Sequence, residues 1–164
     1  MITLRRWTLA DVDDLVALAD NKKIADNLRD RFPNPYTHED AEFYIQLCRR
    51  DRWELSRAVE LDGKIVGCIS LSREHDVSAK TSELGYWIGE NFWGRGIATA
   101  AVKKICTFGF EELGLVRIFA IVSEKNFASM RVLEKCGFEC EGRLRKAIFK
   151  NGAIQDAFLY SRIV

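Results

Sequence analysis

The chain has 164 residues, 48% of them hydrophobic, which is long enough for one domain with a core and too short to expect two. Lysine and arginine (25) balance aspartate and glutamate (24), so the charge offers no overall positive field to nucleic acid and no polybasic cluster to a membrane surface. The start, MITLRRWTLADVDDL, lacks the apolar core of a secretory signal and no stretch reaches membrane-span length, so the expected compartment is the cytoplasm.

Five cysteines (Cys48, Cys68, Cys106, Cys136 and Cys140) are odd in number and mostly set in apolar context, as expected of reduced thiols. Cys136 and Cys140 lie close together, but His38 and His75 are far upstream and no second close cysteine pair exists, so no metal site is expected. Neither histidine carries a local signature that would set it beside a nucleophilic thiol.

The first strand is ITLRRW, with period-two alternation, and Thr8 with Asp11 opens a helix, LADVDDLVALAD, in capping-box style. A polar helical stretch is expected over 21–30, followed by the loop RFPNPYT, which holds both prolines. A helix over 37–50 places Ala41, Tyr44, Ile45 and Cys48 at helical spacing. WELSRAVEL and KIVGCISLS read as strands joined by Asp62-Gly63, a strong hairpin signal. After the polar segment REHDVSAKT comes the strand SELGYWIG, then a helix from Ile97 to Leu113 with an expected buried stripe of Ala98, Ala101, Val102, Ile105, Cys106 and Phe108. VRIFAIVS is apolar enough to be a strand buried on both faces. Asn126 caps a short helix, FASMRVLEKC, closed by Gly137. Two last strands, CEGRLRKAIFK and AIQDAFLYSRIV, meet at Asn151-Gly152, and pairing of copies through an edge at SRIV is conceivable. The sum is an α/β chain with a mixed sheet and helices on its faces.

The stretch GENFWGRGIATAA carries the chemistry. With 11 glycines in the chain, a bare G-x-G occurs by chance roughly once, so its position is what counts. Gly94 and Gly96 stand between a strand and a helix start, where free backbone N–H groups and the positive end of the helix dipole point outward together. Such a place suits a phosphate or pyrophosphate. A phosphate-binding loop of the nucleotide triphosphatases would need four residues between the glycines followed by Gly-Lys-Ser/Thr. A dinucleotide fingerprint would need a third glycine where Thr99 stands.

WGRGIA resembles the acyl-CoA pyrophosphate loop of the GNAT N-acetyltransferases, Gln/Arg-x-x-Gly-x-Gly/Ala, with Trp93 where the family pattern has Gln or Arg. Further phrases in the same order resemble the RimJ/RimL-like, ribosomal-protein branch of that family: ITLRRWTLADVDDL, NPYTHEDAEFYI, DGKIVGCISL, ELGYWIGENFWGRGIATAA and NFASMRVLEKCGFECEGRLR. The resemblance implies one acetyltransferase domain over residues 1–164, with a mixed, centrally splayed β-sheet and helices on both faces. It also implies acetyl-CoA as co-substrate, no metal, and a primary amine as acceptor.

On this resemblance the pantetheine arm enters a gap between two splayed strands, and Tyr86, Trp87 and Ile88 are the expected contacts for pantetheine and the acetyl carbonyl, polarised as in an oxyanion hole. The amides of Trp93, Gly94, Arg95, Gly96, Ile97 and Ala98 would hold the pyrophosphate, and the Arg95 side chain either adds a charge there or is simply solvated. Asn126 and Ser129 fit the family's Asn-x-x-Ser pattern on the thiol side. Many relatives place a thiol-protonating tyrosine seven residues after that asparagine. Here the position is Leu133, so Ser129, Tyr86 or water is left to act, or the thiolate leaves unaided. Glu83 is the favoured base, with Glu54 and Glu141 as weaker candidates. Phe32, Tyr36 and Trp53, with Glu83, would line the acceptor side. The acceptor is the α-amine of a protein or peptide, or a small amine or amino acid. Other classes are a CoA-binding sensor without chemistry and an RNA-binding accessory protein. The sequence leaves monomer and homodimer equally open.

Overall fold

The computed structural model describes residues 1–50 and 54–164, so Trp53 lies outside the described residues. Among these, seven strands form one sheet in the order β1-β2-β3-β4-β5-β7-β6. They are β1 (Ile2–Arg5), β2 (Glu54–Leu61), β3 (Lys64–Arg73), β4 (Thr81–Ile88), β5 (Arg117–Ser123), β6 (Glu139–Lys150) and β7 (Ala153–Ile163). The helices are α1 (Val12–Ala19), the single turn α2 (Lys22–Ala25), α3 (His38–Arg50), α4 (Ile97–Glu111) and α5 (Phe127–Lys135).

Local chemistry sets the turns. Asp62 and Gly63 both take left-handed backbone angles, as do Asn151 and Gly152, which is what two-residue hairpins between right-twisting strands require. The box at Thr8 closes with aspartate in place of glutamate: Asp11 accepts from the Thr8 amide at 2.8 Å and the guanidinium of Arg5 at 2.8 and 2.9 Å. Those bonds let a carboxylate be buried at the head of α1.

Every neighbouring pair of strands is antiparallel except β4 and β5. Period-two alternation sends β3 side chains to opposite faces. Ile69 and Leu71 join Val102, Ile105 and Cys106 of α4 with Ile118 and Leu133 in one core. Ala58 and Cys68 join Trp7, Leu15, Ala41 and Ile45 under α1 and α3 in the other. Helices therefore cover both faces, as expected.

The structure corrects several local expectations. Helix over 21–30 is only the α2 turn. Beyond it the chain turns out toward the sheet, where Arg29 pairs with Glu83, Asp30 with Lys150 at 2.8 Å and Asp26 with Asn151 at 2.9 Å. The buried stripe of α4 runs through Ile97, Ala101, Val102, Ile105, Cys106 and Gly109, which leaves Phe108 exposed and Ala98 half-buried. β5 is not buried on both faces. Ile118, Ala120 and Val122 are buried and Ile121 is exposed, because Ile121 lines the cleft beyond the point where β5 parts from β4. Within SRIV, β7 lies between β5 and β6 only at Ser161, which is opposite Phe119 and Glu139, while Arg162 and Ile163 pair with β5 alone.

Candidate functional site

β4 and β5 pair only through Thr81–Arg117, Ser82–Ile118 and Glu83–Phe119, then separate. The ladder phase fixes which backbone groups face the opening. Gly89 N–H donates to the Val66 carbonyl at 2.8 Å, and Val116 N–H to Lys80 at 2.9 Å. Alternation along β4 therefore turns the N–H and C=O of Tyr86 and Ile88 toward the gap, and those of Gly85 and Trp87 toward β3. Two unpaired edges facing each other form a slot that an extended, amide-bearing chain can fill. A cleft of about 940 Å³ runs through it and joins the two faces of the sheet.

At one mouth lies the glycine loop. Gly94 and Gly96 have φ of +72° and +73°, conformations that favour glycine, and a Cβ built on either meets nothing within 4 Å. The first helical bond of α4 runs from Ala100 N–H to Gly96 C=O at 3.0 Å, so the amides of Gly94 through Thr99 have no backbone acceptor among the described residues. They surround open space, which is the form of an anion cradle. The Trp93 amide is already committed to Glu90 C=O at 3.1 Å. Its indole N–H donates to the Ile88 carbonyl at 2.6 Å, so Trp93 pins the end of β4 to the loop. Arg95 lines the cleft with its guanidinium 5.7 Å above the Phe92 ring.

Inside the opening, Tyr86 reaches across to α5. Its hydroxyl lies 2.8 Å from Ser129 Oγ and donates to the Ser129 carbonyl at 3.3 Å. Burial pushes the Tyr86 hydroxyl up to about 12, with the Ser129 bond acting the other way, so it is a proton donor throughout the neutral range. Asn126 Oδ1 caps α5 by accepting from Ser129 N–H at 3.2 Å, which fixes the turn carrying Ser129. Leu133 is buried in the α4 core and lines none of the cleft.

The opposite half lies against α3 and the loop after α2. Phe32 packs on Tyr36 at 5.0 Å between ring centroids and on Trp87 at 5.8 Å, and all three line the cleft. Glu83 sits where β4 and β5 part, paired with Arg29. Glu54 also lines this half. Glu141 does not: it is bound to Arg117 at the closed end of the strands and to Ser161. The hydrogen bond from Arg117 is the main cause that holds its carboxyl down at about 2. That geometry removes Glu141 from the candidate bases. Sequence reasoning missed Arg29, which lies in a segment expected to be helix, Arg31, which opens the RFPNPYT loop, and Ser70 and Ser72, all of which line this half. The alternation of CISLS carried a signal for the serines, since it sets Cys68, Ser70 and Ser72 opposite Ile69 and Leu71.

Among the described residues, no three His, Cys, Asp or Glu side chains converge as metal ligands, and no helix is long and apolar enough to cross a membrane.

Comparison with known proteins agrees with this geometry. YdaF of Bacillus subtilis (strain 168), provisionally named a ribosomal N-acetyltransferase, is 42% identical over 100 residues, 61% of this chain and 54% of that protein. Spermidine N(1)-acetyltransferase of Escherichia coli (strain K12) is 32% identical over 65% of this chain and 57% of that protein. The chain thus spans little more than half the length of these curated relatives. The structure of Mycobacterium smegmatis RimJ in complex with CoA-disulfide superposes with a TM-score of 0.91 at 26% identity, over 99% of this chain and 82% of that one. Residues 1–139 match the family described as the acetyltransferase (GNAT) domain, and with a parted β4–β5 pair below a glycine loop of free amides, this chain belongs to that family.

Proposed function

We propose that the chain transfers an acetyl group from acetyl-CoA to a primary amine, the N-terminal α-amine of a protein or peptide, by direct attack on the thioester. One observation carries the proposal: β4 and β5 part below a loop of free amides, with the Tyr86–Ser129 hydroxyl pair inside the opening. The amides of Gly94, Arg95, Gly96, Ile97 and Ala98 take the pyrophosphate, and the gap-facing N–H and C=O of Tyr86 with the N–H of Ile88 take the pantetheine arm, the Ile88 carbonyl being held by Trp93. The acetyl carbonyl is polarised by β4 N–H groups in that gap. Glu83 accepts the acceptor's ammonium proton, directly or through water. The amine lone pair then attacks the carbonyl carbon, the C–S bond breaks, the attacking nitrogen gives up its second proton to solvent, and the leaving sulfur takes a proton from Ser129, which solvent restores through the Tyr86 hydroxyl. Trp87 acts through its ring, on the acceptor side. Residues 1–164 make up a single such domain, cytoplasmic, as monomer or homodimer.

A protein or peptide acceptor is supported by YdaF's name. A small amine is the second reading, supported by the spermidine N(1)-acetyltransferase. The test is CoA thiol release from acetyl-CoA with N-terminal peptides, amino acids and polyamines. Turnover on peptides supports the proposal, turnover on polyamines alone moves it to the second reading, and binding of acetyl-CoA without turnover on any amine leaves a CoA-binding sensor.

A further inference from the structure

We propose that the acceptor presents a carboxylate beside its reactive amine, with Arg29 and Arg31 receiving the carboxylate and Glu83 the ammonium. This rests on the transferase reading above and narrows its acceptor class.

The charges around the acceptor half carry the inference. Glu83, the carboxylate nearest the parting of the strands, is paired with Arg29, so an incoming ammonium meets a site already holding a cation. Asp40 is spent on the head of α3, accepting from the Thr37 amide and hydroxyl at 2.8 Å each. Lys23 is paired with Glu90. Arg31 lines the same half and has no ion-pair partner among the described residues. A polyamine needs successive carboxylates along its length, and here arginines stand among the acidic groups. An acceptor with ammonium and carboxylate close together matches the Glu83–Arg29 pair charge for charge, and its carboxylate replaces for Arg29 the partner that the ammonium takes over.

Exposure supports this exchange. The Glu83 side chain is 22% exposed and that of Arg29 59%. The carboxylate is therefore held at the base of the cleft, while the guanidinium reaches in from a loop and can follow a ligand. That loop is anchored on either side of Arg29 by Asp26–Asn151 and Asp30–Lys150, which keeps the arginine over the opening. The Phe32, Tyr36 and Trp87 rings line the same cleft as the pair and offer an apolar wall for the rest of the acceptor residue. Two sources share this chemistry: a free amino acid, and a peptide whose second residue is acidic.

The experiment is calorimetric titration of acceptors into CoA-saturated protein, which reads acceptor binding without turnover. One pair compares L-phenylalanine with L-phenylalaninamide, the other the amidated peptides Phe-Glu-Ala-Ala and Phe-Gln-Ala-Ala. In at least one pair the carboxylate member should bind roughly ten- to a hundredfold more tightly, the range for a hydrogen bond between charged partners. The pair that shows the difference identifies the source. Arg29→Gln should remove most of that difference, and Arg29→Glu should reverse the order and admit spermidine, with folding checked by circular dichroism. Equal affinities within both pairs, a difference untouched by Arg29→Gln, or no binding by any of the four would overturn the inference. Thiol release with any amine would leave the transferase reading standing in those cases, and its absence with every amine would remove that reading separately.

Discussion

Replacing Gly96 separates a glycine needed by the backbone from one needed by a ligand. At φ +73° an alanine costs roughly 1–2 kcal/mol of left-handed strain, and with nothing within 4 Å of the new Cβ no steric cost is added. In a chain of this size that lowers Tm by about 2–8 °C. Gly63, at φ +82° in the β2–β3 turn and equally open, supplies the control: Gly63→Ala carries the same strain away from the cleft. If pyrophosphate rests on the loop, the Cβ of Gly96→Ala occupies its space, and Gly96→Asp adds an anion beside it. For unit charges about 4 Å apart at an effective dielectric near 20, that repulsion is ~4 kcal/mol, about three powers of ten in Kd. Calorimetric titration of acetyl-CoA should therefore show Gly63→Ala binding as the wild type does, Gly96→Ala weakened, and Gly96→Asp without measurable binding. Wild-type affinity in a folded Gly96→Asp variant would refute the anion cradle and reduce both glycines to turn residues.

Ser129→Ala should lower kcat about a hundredfold or more, as for loss of a general acid, and Tyr86→Phe about tenfold through the lost partner of Ser129. Because Tyr86 ionises only near 12, the kcat profile should show no falling limb from it below about pH 11, and full activity in Ser129→Ala would exclude its role. Gly67→Ala would place a Cβ 2.3 Å from the Trp87 carbonyl oxygen and 2.8 Å from Ile88 Cδ1. Displacing β4 in this way should cost about 2–3 kcal/mol and roughly 5–10 °C in Tm, visible by calorimetry, and an unchanged Tm would mean that β4 moves freely. Burial pushes the thiols of Cys68 and Cys106, like the Tyr86 hydroxyl, up to about 12. Their neutral forms are favoured in the fold, while the unfolded chain ionises them near 9.0 and 10.0. The resulting stability is complete below about pH 9 and is lost as pH rises from there toward 12. Urea midpoints at pH 8, 9, 10 and 11 should fall steadily, and a flat series would contradict the burial of these groups.

What could be read from the sequence is what local chemistry dictates. Asp62-Gly63 and Asn151-Gly152 specify their turns because few residues accept left-handed angles. The alternation of CISLS fixes its two faces, Asn126 fixes the start of α5, and G-x-G before an amphipathic helix fixes a place of unpaired amides. The errors fall where distant partners intervene. Residues 26–30 lie in the stretch expected to be helix, yet Arg29, Asp30 and Asp26 are drawn to Glu83, Lys150 and Asn151, partners 54 to 125 positions away. Ile121 looks like core, and only the parting of β4 from β5 leaves it exposed.

The same division holds at the site. The sequence alone determined the loop of free amides, the strand beside it and the helix bearing Asn126 and Ser129, because each depends on neighbours along the chain. Tertiary structure decided that Glu141 is bound at the closed end of the strands, that Tyr86 meets Ser129, and that Glu83 shares the opening with Arg29. Those outcomes follow from strand order and from where β4 and β5 stop pairing, which depend on long-range contacts that no local spacing encodes.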